Sequence, residues 1–150
     1  MAIYDCFQYS DEDHMVDLRL NILNQYVDFF VISESTKTHQ GKNKKINFDV
    51  KKFSKFKDKI KFVVADYSED ISFKKHIGGE SPIEQHQRNY LIEGIKDASP
   101  EDLIILSDSD EIPDEEEFDF DDELDEKKFP DLIYSFARLS SGFSLKELIL

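Results

Sequence analysis

The chain has 150 residues, 39% of them apolar and 13% aromatic, which is enough for one ordinary core and too little for two. With 33 Asp/Glu against 19 Lys/Arg the net charge is −14, so nucleic acid is not expected as a partner, because phosphate binding wants a basic field. The lone cysteine, Cys6, excludes an internal disulfide framework, no apolar run approaches the roughly 20 residues of a membrane span, and Asp5, Asp11, Glu12 and Asp13 read against a secretory leader, so a soluble cytoplasmic protein is expected.

In chain order, Ile3 to Tyr9 is an apolar and aromatic run that reads as a first strand. Asp11-Glu12-Asp13 places acids where a helix N-terminus favours them, and Met15, Leu18, Ile22, Leu23 and Tyr26 follow as one apolar stripe. Val27 to Ile32 is nearly continuous in apolar residues, as a strand covered on both faces would be. A Lys-rich loop around Gly41 spans 36–47, and Phe48, Val50, Phe53 and Phe56 suggest a short helix. Ile60 to Ala65 is a third strand ending at Asp66, and 67–82, with Gly78 and Gly79, reads as a loop. Residues 83–97 form a helix begun by Ser81 or Pro82, with Ile83, Leu91 and Ile95 on one face. Leu103 to Leu106 is a fourth strand and 131–137 a candidate fifth. The alternation predicts an α/β domain over 1–150 with a mostly parallel sheet and flanking helices.

Charge is unevenly placed. Residues 101–126 hold 15 Asp/Glu and no Lys/Arg, while 37–61 hold ten Lys against Asp49 and Asp58. Such blocks read first as solvated faces. Four acids nevertheless sit just past strand ends: Glu34, Asp66, Asp108 and Asp110. Ligands of open α/β sheets collect at that rim, so these are the candidate binding residues.

Asp108-Ser109-Asp110 leaves the fourth strand as a carboxylate pair at i and i+2, which suits a hard divalent cation. A calcium loop would need glycine where Pro113 stands. The DxD of haloacid-dehalogenase phosphatases lies near the chain start, with Thr or Val where Ile112 stands here, and needs more chain than follows Pro113. The remaining readings are the start of a solvated acidic face and the metal–diphosphate motif of nucleotide-sugar transferases. His14, His39, His76 and His86 show no ligand spacing and read as incidental.

Ile3-Tyr4-Asp5-Cys6-Phe7, Asp17-Leu18-Arg19-Leu20-Asn21, Val27 through Ser35, Gly41-Lys42, Glu84 through Asn89 and Leu103 through Pro113 occur in an order that resembles glycosyltransferase family 17 over roughly residues 3–113. The resemblance implies a GT-A type, Rossmann-like fold and an inverting N-acetylglucosaminyltransferase-like activity. It further implies a nucleotide-sugar donor such as UDP-N-acetylglucosamine, a glycan acceptor, and a divalent metal, Mn²⁺ or Mg²⁺. Under it, Asp110 contacts the metal and Asp108 the metal or the ribose, while Arg88 aims at the diphosphate or is held by the DxD carboxylates. Glu34 contacts the nucleotide or caps a loop, and Asp66 is a weaker candidate. The division expected is a donor-binding half in 1–113, and in 114–150 an acidic segment with a short remnant of an otherwise truncated acceptor half. The apolar ending Leu145 to Leu150 leaves room for a homodimer or a completing partner chain. No catalytic base is assigned. The competing reading is a non-catalytic acidic interaction module.

Overall fold

The structure is a computed structural model and describes residues 1–67 and 81–113, with the backbone of 135–138. The expected loop glycines Gly78 and Gly79, the acidic run 114–126 and the apolar ending lie outside the described residues.

Strand β1 (Ile3–Gln8), helix α1 (Asp13–Leu23), strand β2 (Phe29–Ser35), a 3-10 helix (Val50–Phe56), strand β3 (Ile60–Ala65), helix α2 (Pro82–Gly94), strand β4 (Leu103–Leu106) and strand β5 (Ser135–Arg138) follow in order. They build one sheet, β3-β2-β1-β4-β5. The first four strands in that order pair in parallel, and β5 runs antiparallel to β4. This is the α/β, mostly parallel arrangement that the alternating pattern predicts and the Rossmann-like one that the family resemblance implies. Cys6 pairs with Val31 on one side and Leu106 on the other, so β1 lies at the centre.

Alternation along β1 assigns its two faces. Ile3, Phe7 and Tyr9 pack with Val16, Leu20 and Leu23 of α1 and with Phe53 and Phe56 of the 3-10 helix. Tyr4 and Cys6 pack instead with Leu91 and Ile95 beside α2. Phe7, Leu20, Leu23, Phe30 and Ile32 are fully buried, and each contributes about 1.5–3 kcal/mol by leaving water. Both surfaces of the central strands are covered, which explains their nearly unbroken apolar sequence.

The helices are locally well specified. Ser81 caps α2 by accepting from Glu84 N at 3.0 Å, with Pro82 in the first turn. Asp49 starts the 3-10 helix by accepting from Lys51 N at 2.9 Å. A Cβ at Gly94 would overlap Val31 Cγ1, so the glycine lets α2 close onto β2.

The predicted stripe of α1 needs correction. The inward face is Val16, Arg19, Leu20 and Leu23, and Leu18 is half exposed. The helix is rotated from the Met15/Leu18/Ile22 phase because Arg19 is buried completely and has polar partners inside.

Candidate functional site

From β1 the chain passes through α1 to β2, and after α2 it returns to the other side of β1 as β4. The carboxyl ends of β1 and β4 therefore diverge, and a crevice opens where the strand order reverses. A cavity of about 380 Å³ occupies this place. Gln8 and Ser10 line it from the end of β1, Glu12 and Met15 from the start of α1, and Glu84 and Gln87 from α2. Asp108, Ser109 and Asp110 form the wall beyond β4, and His39 reaches it from the Lys-rich loop. Glu12, Glu84, Asp108 and Asp110 give the wall four carboxylates, while its described lining contains no Lys or Arg. Asp11, between Ser10 and Glu12, adopts φ 78°, a left-handed conformation that places an Asp-tolerated kink at the rim.

The loop after β4 is held from beneath. Arg19 and Asp5 are both fully buried, and Arg19 meets Asp5 through Nε–Oδ2 at 2.8 Å and Nη2–Oδ1 at 2.7 Å. Arg19 Nη2 also donates to Ser107 Oγ at 2.6 Å, and Nη1 donates to the carbonyls of Asp108, Ser109 and Glu111 at 2.7, 3.3 and 3.1 Å. A planar fork with five N–H donors suits this combination of bidentate pair and converging carbonyls. The loop closes on itself as well, with Glu111 N donating to Asp108 O at 3.1 Å and Asp108 N to Glu111 Oε2 at 3.2 Å.

From the opposite face, Arg88 Nη2 lies 3.2 Å from Asp108 Oδ1, with both side chains partly exposed. With its amide oriented so that both ends find partners, Gln8 steadies it, donating to Glu84 O at 3.0 Å and accepting from Arg88 Nε at 3.3 Å. Gln87, next to Arg88, is buried and donates to Tyr9 O at 3.0 Å and Ser33 O at 2.8 Å, tying α2 to the ends of β1 and β2.

Arg88, Asp108 and Asp110 thus come together at one rim. Glu34 and Asp66 do not join them. Glu34 is fully buried, and its carboxylate is taken up by Lys44 Nζ and by the amides of Asn47 and Phe48, at 2.9–3.1 Å for the amides. This is the loop-cap alternative of the sequence reading: an acid closing the Lys-rich segment onto β2. Asp66 caps its own turn, accepting from Tyr67 N and Thr36 Oγ1, both at 2.9 Å. Neither lines the cavity.

Two histidines are less incidental than their spacing suggested. His39 reaches the cavity wall, and His86 makes tilted ring contacts with Tyr67 and Tyr90 at centroid distances of 4.2 and 4.8 Å. Burial pushes the Tyr67 hydroxyl up to about 12, with its proton donated to Ile83 O. Burial likewise raises the Tyr9 hydroxyl, which donates to Asp13 Oδ1 at 2.6 Å. Cys6 is a buried core residue whose thiol burial holds well above its usual range, consistent with packing rather than chemistry.

Sequence reasoning missed the Asp5–Arg19 pair. Its signal was present as an acid inside the apolar run of β1 and an arginine three residues after Val16.

The cavity wall also bears on metal binding. Among the described residues no three His, Cys, Asp or Glu side chains group into a metal cage. Asp108 and Asp110 line the same cavity wall, and two such carboxylates would suit a hard cation that completes its shell with ligand oxygens and water, as Mg²⁺ does with phosphates.

The sequence model of a known family, described as glycosyltransferase family 17, matches residues 1–136 of the chain. Comparison with curated proteins gave no match, and comparison with solved structures gave none.

Proposed function

Because the chain belongs to glycosyltransferase family 17, we propose that the crevice between β1 and β4 binds a nucleoside-diphosphate sugar and presents it for transfer to a glycan hydroxyl. The observation that carries this reading is the composition of the crevice wall. Four carboxylates face a cavity at the switch point, and only Arg88, beside Asp108, brings a described guanidinium to that rim. A diphosphate would be repelled from such a wall unless a cation reversed its sign. Asp108 and Asp110 would hold that divalent cation, Mn²⁺ or Mg²⁺. When bound, it neutralises the diphosphate and stabilises it as a leaving group.

The chain's own residues supply the rest. Arg88 adds a fixed positive charge that Gln8 and Asp108 orient, and its fork geometry matches phosphate oxygens. Gln87 fixes the strand ends that flank the crevice. The acceptor hydroxyl, giving up its proton to a general base, attacks the anomeric carbon as the bond to the diphosphate breaks, with inversion, and the charge that develops on the diphosphate is met by Arg88. The resemblance of the donor-half motifs favours UDP-N-acetylglucosamine as donor.

Calorimetric titration of UDP and UDP-N-acetylglucosamine, with Mn²⁺ and then with EDTA, tests this reading. Binding that needs the metal and disappears in the Asp108→Ala, Asp110→Ala double variant is expected. Nucleotide binding that survives EDTA, or none from a folded chain, would sink it. A variant neutralising acids of 114–126 separates the competing acidic-module reading, because only that reading makes those acids decisive.

A further inference from the structure

We propose that Arg19, with Asp5 as its counter-charge, is the positioning residue of this site: it sets the backbone of 107–111 so that Asp108 and Asp110 face the crevice. The inference deepens the donor-site reading and rests on it for what the loop does, though not for how the loop is held.

Three observations carry it. First, six hydrogen bonds of Arg19 go to Asp5 and to the loop after β4. Those partners lie 14 and 88–92 residues away in sequence, so helix formation explains none of these bonds. Second, the groups captured in the loop are mainly carbonyls. Drawing the carbonyls of Asp108, Ser109 and Glu111 inward onto one guanidinium leaves the side chains of Asp108 and Asp110 on the crevice side, where they line the cavity. Third, Arg19 has no exposed surface, and its guanidinium carbon lies 4.7 Å from the Phe7 ring centroid, so it cannot itself reach a ligand.

A buried arginine is a demanding way to fill a core. Replacing a buried ion pair by apolar residues is often neutral or stabilising, so stability alone does not explain the pair. A carbonyl-lined loop, by contrast, can only be gathered by a donor with several N–H groups in one plane. Lysine offers one nitrogen and cannot serve Asp5 and three carbonyls together.

The test compares Arg19→Lys with the paired replacement Asp5→Leu, Arg19→Met, which removes both buried charges together. Amide hydrogen exchange is read on peptides covering 107–111 and on peptides covering β1, and UDP with Mn²⁺ is titrated calorimetrically. In both variants exchange at 107–111 should rise about tenfold or more while β1 stays protected, because the loop alone is released. UDP affinity in Mn²⁺ should fall about tenfold or more in step, as expected when a support behind a metal-binding group is lost. Unchanged protection at 107–111 in a variant whose β1 is protected would overturn the proposal, and so would a loosened loop that binds UDP as tightly as before. If the paired replacement loses β1 protection too, Arg19→Lys, which keeps a charge opposite Asp5, decides the matter by the same two readouts. Should the unaltered chain bind no UDP, the donor reading falls, and the exchange of 107–111 still decides whether Arg19 holds the loop.

Discussion

Two arginines reach the same five-residue loop from opposite faces of one sheet, and they are used in opposite ways. Arg19, from α1, is fully buried and meets backbone carbonyls, Ser107 and Asp5. Arg88, from α2, is a quarter exposed and meets the carboxylate of Asp108 at the edge of the cavity. On the donor-site reading, the side chain that shapes the loop is withdrawn from solvent, whereas the one that would meet a ligand keeps open surface. Burial and the kind of partner, backbone carbonyls against a carboxylate, therefore separate the two arginines where residue type cannot.

Breaking one half of the buried pair should have the largest effect. Asp5→Leu alone leaves Arg19 charged and uncompensated, and is expected to lower unfolding free energy by about 3–5 kcal/mol in chemical denaturation. A loss under 1 kcal/mol would show that the pair is not desolvated as the structure has it. Next comes the ligand side of the loop. Asp108→Asn with Asp110→Asn should abolish metal-dependent UDP binding yet leave the melting temperature nearly unchanged, since Asp108 is half exposed. Arg88→Ala should behave in the same sense but more weakly, lowering UDP affinity about tenfold to a hundredfold, the worth of a charge-assisted hydrogen bond. Its melting temperature should not move. A destabilised Arg88→Ala chain would erase the contrast between the two arginines.

The smallest expected effect lies at the far end of the same strand pair. Asp102 accepts from Ala2 N at 2.7 Å and from Ser99 N at 2.8 Å, joining the starts of β1 and β4. Burial opposes its ionisation, but these amides outweigh it and hold the carboxyl below its ordinary value of 3.8. The unfolded chain then takes up the proton first as pH falls. The contribution of Asp102 is fully present above about pH 4 and is lost as pH drops through its lowered folded value. Asp102→Asn should flatten that acid limb of an unfolding curve and leave UDP binding intact.

Much of the frame was legible in the sequence because apolar runs rich in β-branched residues mark strands directly. Ile60–Ala65 and Leu103–Leu106 are the residues read as the third and fourth strands. The rim acids were legible too, since the strand ends place them. What separated Glu34 from Asp108 was not. Both follow an apolar run, but Glu34 still lies within β2, and the Lys-rich segment folds back to donate two amides and an ammonium to it. Asp108 stands beyond β4, with its backbone held and its carboxylate left at the surface. The phase of α1 was misread for a related reason. Periodicity counts arginine as outward, but the acid buried in β1, 14 residues earlier, and the loop after β4 give Arg19 polar partners inside. Such contacts are set by topology and leave little trace in local pattern.

The most direct test of the central claim is a map of where Mn²⁺ sits when UDP is present. In amide NMR spectra of the isotopically labelled chain, substoichiometric Mn²⁺ with UDP broadens nearby resonances through its unpaired electrons. Amides of Gln8 to Ser10 and Ser107 to Glu111 are expected to broaden first, while those around Glu34 and Asp66 stay sharp. Broadening centred on the acidic run 114–126, with 107–111 left sharp, would contradict it.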